Sequence, residues 1–140
     1  MNHQVSSWLN SFGLLILRVG IGFLSMSQHG WEKLIGFSEK AGAFPDPVGL
    51  GPQISLGLMV FAEFFCSIFI IFGFITRLSA LPPVIGMLVA TFIIHAEDPF
   101  SKKEFALLYA IPYLTLVFTG PGKFSLDRLI WGKSCQKANV

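Results

Sequence analysis

At 140 residues the chain has room for one domain, and 53 % of it is hydrophobic against 13 % charged, with a mean hydropathy of +0.66. A water-soluble domain carries about 25 % charged residues. Ten Lys/Arg and eight Asp/Glu cannot coat a surface of this size, so lipid must cover what they leave. The formal charge of +2 is too small to hold nucleic acid, and its use is topological.

Residues 1–11 contain no Lys or Arg, and no small-x-small site follows the apolar run after them. That run is therefore expected to stay in the protein as a helix rather than act as a cleaved leader. Backbone polar groups in lipid must be satisfied within their own segment, and about 20 helical residues cross the hydrocarbon core. On that rule the first span is expected at about residues 8–28, interrupted by Arg18. A loop rich in Gly and Pro follows (residues 36–52), with room for a re-entrant part. The second span is expected at about 54–75 and carries only Glu63. A tight turn at Thr76-Arg77 leads to an uncharged third span at about 78–95, with Pro82-Pro83 in its first turn, where missing N–H groups cost little. Residues 95–104 (HAEDPFSKKE) connect to a short fourth span at about 105–119, in which Pro112 predicts a kink and Tyr109 and Tyr113 share a face. Gly120-Pro121-Gly122 stops it. The segment FSLDRLIWG at 124–132 then reads as a short amphipathic interfacial helix with Ser125 as its N-cap. The fold class is all-α: a polytopic membrane four-helix bundle, one domain over residues 1–140, with a short C-terminal amphipathic segment.

Four spans put both termini on one side. That side holds Arg77, Lys123, Arg128, Lys133 and Lys137, whereas the other holds Lys33, Lys40, Lys102 and Lys103 together with six acidic residues. Counting Lys and Arg favours cytoplasmic termini, here in a bacterial inner membrane. Cys66 lies in an apolar run and Cys135 in the polar tail, with no CxxC. An internal disulfide is not expected, and thiol–disulfide exchange would draw on a partner's cysteines.

Three arrangements carry chemistry. Arg18 and Glu63 each lie nine or ten residues into their spans, which predicts an intramembrane ion pair near the midplane, since either charge alone is costly there. Such a pair fixes helix register or lines a proton path, and the residues leave both open. Arg18, Gly22, Ser25, His29, Glu32 and Gly36 follow steps of four and three, a polar stripe that lipid would reject and that should face the bundle. Gly20 and Gly22 would permit close helix contact. Finally, the span ends bring His29, Glu32 and Lys33 toward His95, Glu97, Asp98, Lys103 and Glu104 at one mouth. That group has the makings of an anion or quinone head-group site. His29, Lys33, His95 and Glu104 are its catalytic candidates. His29-x-x-Glu32 alone is too common a spacing to assign a metal, and no haem attachment motif is present.

The series LLILRVGIGFLSMSQHGWEKL (14–34), AEFFCSIFIIFGFITRLSAL (62–81) and KEFALLYAIPYLTLVFTGPGKFSLD (103–127) resembles the DoxX family of small four-helix membrane proteins. The resemblance singles out Arg18, His29, Gly30, Lys33, Glu63, Thr76, Arg77, Glu104, Gly120, Pro121, Gly122 and Asp127. It implies a fold first. Some relatives are subunits of a thiosulfate:quinone oxidoreductase, others are linked to thiol redox defence, and distant ones act as cargo receptors or assembly chaperones. By that analogy the expected role is an accessory subunit of a quinone- or thiol/sulfur-linked redox system, whose cofactor the resemblance leaves open, with quinone one candidate. Its expected partners are the lipid bilayer and a redox protein in the membrane or outside the cytoplasm; a homo-oligomer is compatible with the same reading. The alternative is a non-catalytic assembly, chaperone or anchoring factor. Transport of a proton or small solute is a third reading, resting on Arg18 and Glu63. Fold analogy by itself does not decide whether the chain is an enzyme.

Overall fold

Every described residue that adopts regular structure is helical in the computed structural model, which describes residues 3–132. Cys135, Lys133 and Lys137 lie outside the described residues. The first span is one rod built from α1 (His3–Ser25), a π-helical segment π1 (Met26–Gly30) and α2 (Trp31–Ile35). It is longer than the hydropathy run suggests because the polar stretch at Met26–Gly30 does not end the helix; its backbone bonds lengthen to the π pattern instead. Gly36 closes the rod, and α3 (Phe37–Lys40) packs back under it, burying Ala41 against Leu56 and Val60.

The loop at 41–51 is ordered by Asp46, whose carboxylate accepts from the N–H of Leu50 (3.0 Å), the N–H of Gly51 (2.8 Å) and the Ser55 hydroxyl (2.8 Å). Two of those donors lie just before the second span and the third in its first turn, so Asp46 fixes the chain's entry into that span. The span itself comprises α4 (Pro52–Val60), π2 (Phe61–Phe65) and α5 (Cys66–Phe72), with Pro52 in its first turn. It ends three residues before the expected position, at Gly73. The left-handed φ of 71° there allows Gly73 N–H to bond Ile70 O (3.1 Å) and Phe74 N–H to bond Phe69 O (2.8 Å), a Schellman stop.

The third span, α6 (Thr76–Val89) with π3 (Ala90–Ile94), starts at Thr76 rather than two residues later. Pro82 and Pro83 consequently fall in the second turn, not the first, and leave the carbonyls of Leu78 and Ser79 without their helical donors. The fourth span, α7 (Phe100–Thr119), gains a polar first turn and runs through Pro112 as one helix of 20 residues. α8 (Leu126–Trp131) follows, capped by the Ser125 hydroxyl accepting from Arg128 N–H (3.2 Å). The short helix and its cap are therefore as the residues predict.

Three rods, Val5–Ile35, Pro52–Phe72 and Thr76–Ile94, are long and apolar enough to cross a membrane. α7 matches them in length and packs along α6 and against α1, and α1 packs on α5. Ile70, Ala80, Val84, Tyr113 and Leu116 form the core of this four-helix bundle. Ile16, Phe23, Leu58, Ile85, Phe92, Ile111 and Phe118 point outward and exposed. Only hydrocarbon stabilises that much outward apolar surface, so the protein is integral to the membrane.

Candidate functional site

The site begins at a helix crossing. Gly30, the last residue of π1, lies so close to π2 that a Cβ in its place would come within 2.8 Å of the Glu63 carbonyl and the Phe64 nitrogen. Only a residue without a side chain admits that approach. It sets the offset of the first two rods and places Glu63, 3 % exposed at its side chain, beneath the end of the first. Lys33 then reaches Glu63, Nζ to Oε2, at 2.5 Å.

This geometry corrects the expected Arg18–Glu63 pair. With residue 30 beside residue 63, Arg18 lies 12 residues back along the rod, roughly 18 Å of helical rise away. Counting inward from span ends misled because the first rod extends well past its hydropathy limit, which shifts its register against the second. Arg18 instead donates to Ile70 O (Nη1, 3.5 Å) and to Phe124 O through Nη2, and it is fully buried.

The polar stripe is corrected in the same way. Arg18, Gly22 and Ser25 are buried as expected. Beyond them the π segment fits one extra residue into its turn and sets the stripe back by one, so Gly30 and Lys33 turn inward while Glu32 turns out to the exposed side and pairs with Lys40 (2.5 Å). Gly22 packs against Ser67 O and Ile71, whereas Gly20 faces open space and serves no helix contact.

His29 stands one turn before Lys33, its ring edge-on to Tyr109 with centroids 5.1 Å apart. Tyr113, completely buried, shares a hydrogen bond with the Ser67 hydroxyl (3.1 Å), and Ser25 Oγ is buried without a partner among the described residues. Ser25, Ser67, Tyr113, Tyr109, His29, Glu63 and Lys33 thus line the interior between the first, second and fourth spans. Ser67 was not singled out in the sequence; its inward position follows from the π2 register, which hydropathy does not reveal.

The single mouth cluster divides into separate groups. His95 Nδ1 bonds Asp98 Oδ2 (2.7 Å), Lys102 reaches Asp98 Oδ1 (3.3 Å), and Lys103 donates to Ala96 O (2.6 Å). Glu97 and Glu104 are exposed. Among the described residues no hydrogen bond or ion pair joins this rim to His29, Lys33 or Glu63, and no three His, Cys, Asp or Glu side chains converge on a metal position. The connection at 95–100 closes each charge on its own turn before it can reach across. His95 donating to Asp98, with Lys102 beside it, holds that carboxyl below the usual range; hydrogen bonds from Ser55 and Gly51 do the same for Asp46.

A second polar assembly lies at the other end, where the termini are. Asp127 accepts from Ile75 N–H (2.6 Å) and Thr76 N–H (2.9 Å), capping the third span and holding Ile75 at a φ of 40°. Asp127 N–H donates to Gly73 O (2.9 Å), Arg77 Nη2 to Phe118 O (3.3 Å), and Ser125 Oγ to Gly122 O (2.9 Å). Arg18, Thr76, Arg77, Gly120, Pro121, Gly122 and Asp127 are therefore gathered in one knot that ties the chain's last helix to three spans.

The DoxX family model matches residues 13–96. An uncharacterized protein of Haemophilus influenzae is 34 % identical over 124 residues, covering 84 % of this chain and 82 % of its own length. The inner membrane protein YqjF of Escherichia coli is 30 % identical over 128 residues, 87 % of this chain and 95 % of its own. No solved structure matches.

Proposed function

The chain belongs to the DoxX family, and from that premise we propose that it is an accessory membrane subunit of a quinone-linked redox system, receiving the quinone head group at the Lys33–Glu63 pair. The observation that carries this reading is an ion pair between buried Glu63 and partly exposed Lys33 at the end of the first rod, with His29 and Tyr109 beside it. The donor set suits quinone carbonyl oxygens, since Lys33 and His29 both offer N–H groups. A bound quinone would supply the electron-accepting chemistry. The chain's own part is to orient the ring and to hold protons at Lys33, Glu63 and His29. Cys66 is buried in the second span with no thiol beside it among the described residues, and in this reading electrons come from a partner protein on either side of the membrane.

Equilibrium binding of a short-chain quinone to the protein in lipid nanodiscs tests the reading. Saturable binding should weaken about tenfold, or 1.4 kcal/mol, in His29→Ala and in Glu63→Gln. Wild-type protein that binds no quinone, or variants that bind it equally well, would end the proposal.

An assembly or anchoring role is the second reading. It is favoured by the Asp46-ordered loop, which presents exposed Val48 and Leu50 at the mouth; a stoichiometric partner that co-purifies and is lost in Asp46→Ala would support it. For orientation we place the termini in the cytoplasm, on the strength of exposed Arg77, Lys123 and Arg128 at their end. A fluorescent-protein fusion at the C-terminus should then light up, and an alkaline phosphatase fusion should stay inactive.

A further inference from the structure

Charge is distributed unequally between the two ends of the bundle. At the mouth, Lys33, Lys40, Lys102 and Lys103 stand among Glu32, Glu39, Asp46, Glu97, Asp98 and Glu104, and most of the cations are already engaged by carboxylates or carbonyls. At the terminal end Arg77, Lys123 and Arg128 are all exposed. The one carboxylate there among the described residues is Asp127, and both of its oxygens are committed to the backbone of Ile75 and Thr76.

These cations are held together by the fold. Arg77 lies over Gly120, Lys123 follows three residues later, and Arg128 sits in the first turn of α8, which begins on the Gly73 carbonyl four residues before Arg77. α8 is anchored on its inner side by the Asp127 cap and by Trp131 stacking on Phe74 at 6.3 Å. Its outer side leaves Leu129 66 % and Trp131 50 % exposed. A helix too short to cross a bilayer, with an apolar edge, a tryptophan and basic neighbours, belongs at the depth where acyl chains meet head groups.

We propose that the terminal end is a binding surface for the anionic phospholipid head groups of the surrounding membrane. Arg77, Lys123 and Arg128 take the phosphate oxygens, while Leu129, Ile130 and Trp131 occupy the top of the acyl layer. Charge complementarity selects the occupant: exposed cations with no free carboxylate beside them among the described residues, next to an apolar edge, fit a phosphate attached to a chain better than a free anion, which would leave that edge in water. Because the same segments cap the third span and hold Arg18, an occupied surface also steadies the bundle end. This inference concerns the opposite end from the quinone site and does not depend on it.

The test is thermal unfolding of the full chain, purified in a neutral detergent, with phosphatidylglycerol, phosphatidylcholine or inorganic phosphate added. Phosphatidylglycerol should raise the melting temperature by several degrees, while the other two leave it nearly unchanged, since a ligand of the folded state stabilises it in proportion to affinity. The combined Arg77→Gln/Lys123→Gln/Arg128→Gln variant should need roughly a hundredfold more phosphatidylglycerol for the same shift, about fivefold per cation. The charge-preserving Arg77→Lys/Arg128→Lys variant, which reports whether this end still folds, should keep most of the response. Equal stabilisation by phosphatidylcholine, a full response to inorganic phosphate, or an undiminished response in the triple Gln variant would each overturn the proposal.

Discussion

Arg18 and Lys33 lie 15 residues apart on the same rod, and both reach across to the second span, yet their partners differ in kind. Arg18 meets only backbone carbonyls, from Ile70 at the end of the second span and from Phe124 in the last segment. A guanidinium cannot be discharged in a protein and a carbonyl cannot titrate, so that contact has one state. The helix end offering the Ile70 carbonyl also presents the negative pole of its dipole. Lys33 meets the carboxylate of Glu63, and a proton passing between them neutralises both. One end of the bundle is thus tied by an arginine on carbonyls, while the other joins a partly exposed lysine to a buried carboxylate.

Breaking the tie should have the largest effect. Arg18→Met removes two charge-assisted hydrogen bonds from buried carbonyls and should cost about 3–6 kcal/mol, read as loss of folded protein or a steep fall in melting temperature. Gly73→Ala should act alike, since its Cβ would collide with the Arg18 guanidinium at a φ of 71°. Removing Asp127 as well should rescue neither. Lys33→Met strands Glu63 and should cost about 3–5 kcal/mol, but Lys33→Met/Glu63→Leu should regain most of it while abolishing quinone binding. If the double variant stays as unstable as the single, the contrast between the two ends collapses.

Asp127→Ala, which uncaps the third span, should cost about 1–2 kcal/mol in thermal unfolding and leave the mouth intact. The smallest effect is a pH dependence. Asp46 and Asp98 have folded pKa values below their unfolded ones, so their stabilisation is complete above the unfolded value near 4 and is lost as pH falls through the folded values. The protection of the Leu50 and Gly51 amides against hydrogen exchange, corrected for the intrinsic pH dependence, should therefore fall below about pH 4.

Much of the candidate site was legible as a list of residues and little of it as contacts. Glu63 stood out because an ionisable group in an apolar run is costly and needs a reason to be there, and His29 and Lys33 stood out because they close the first span. Ser125 and Gly120-Pro121-Gly122 stood out because caps and stops have local signatures. Pairings were another matter. Glu32, not Lys33, lies on the stripe that a 3.6-residue period draws, and only the π1 segment reverses their places. The expected meeting of His95, Glu97, Asp98 and Glu104 with His29 depends on a distance across the bundle, which is a tertiary quantity, and their own turn satisfies His95 and Asp98 instead.

Hydropathy, length and the positions of Gly, Pro and Ser determined the membrane class, the four helical rods and the order of their ends, because each reflects a balance settled within about 20 residues: backbone bonds closed inside a helix, side chains passed to lipid. Which charge meets which was decided only when the rods packed. That choice depends on their sliding offset, which the Gly30–Glu63 approach and two π segments set. A few residues of slide leave hydropathy unchanged, yet move Arg18 from a carboxylate to a pair of carbonyls.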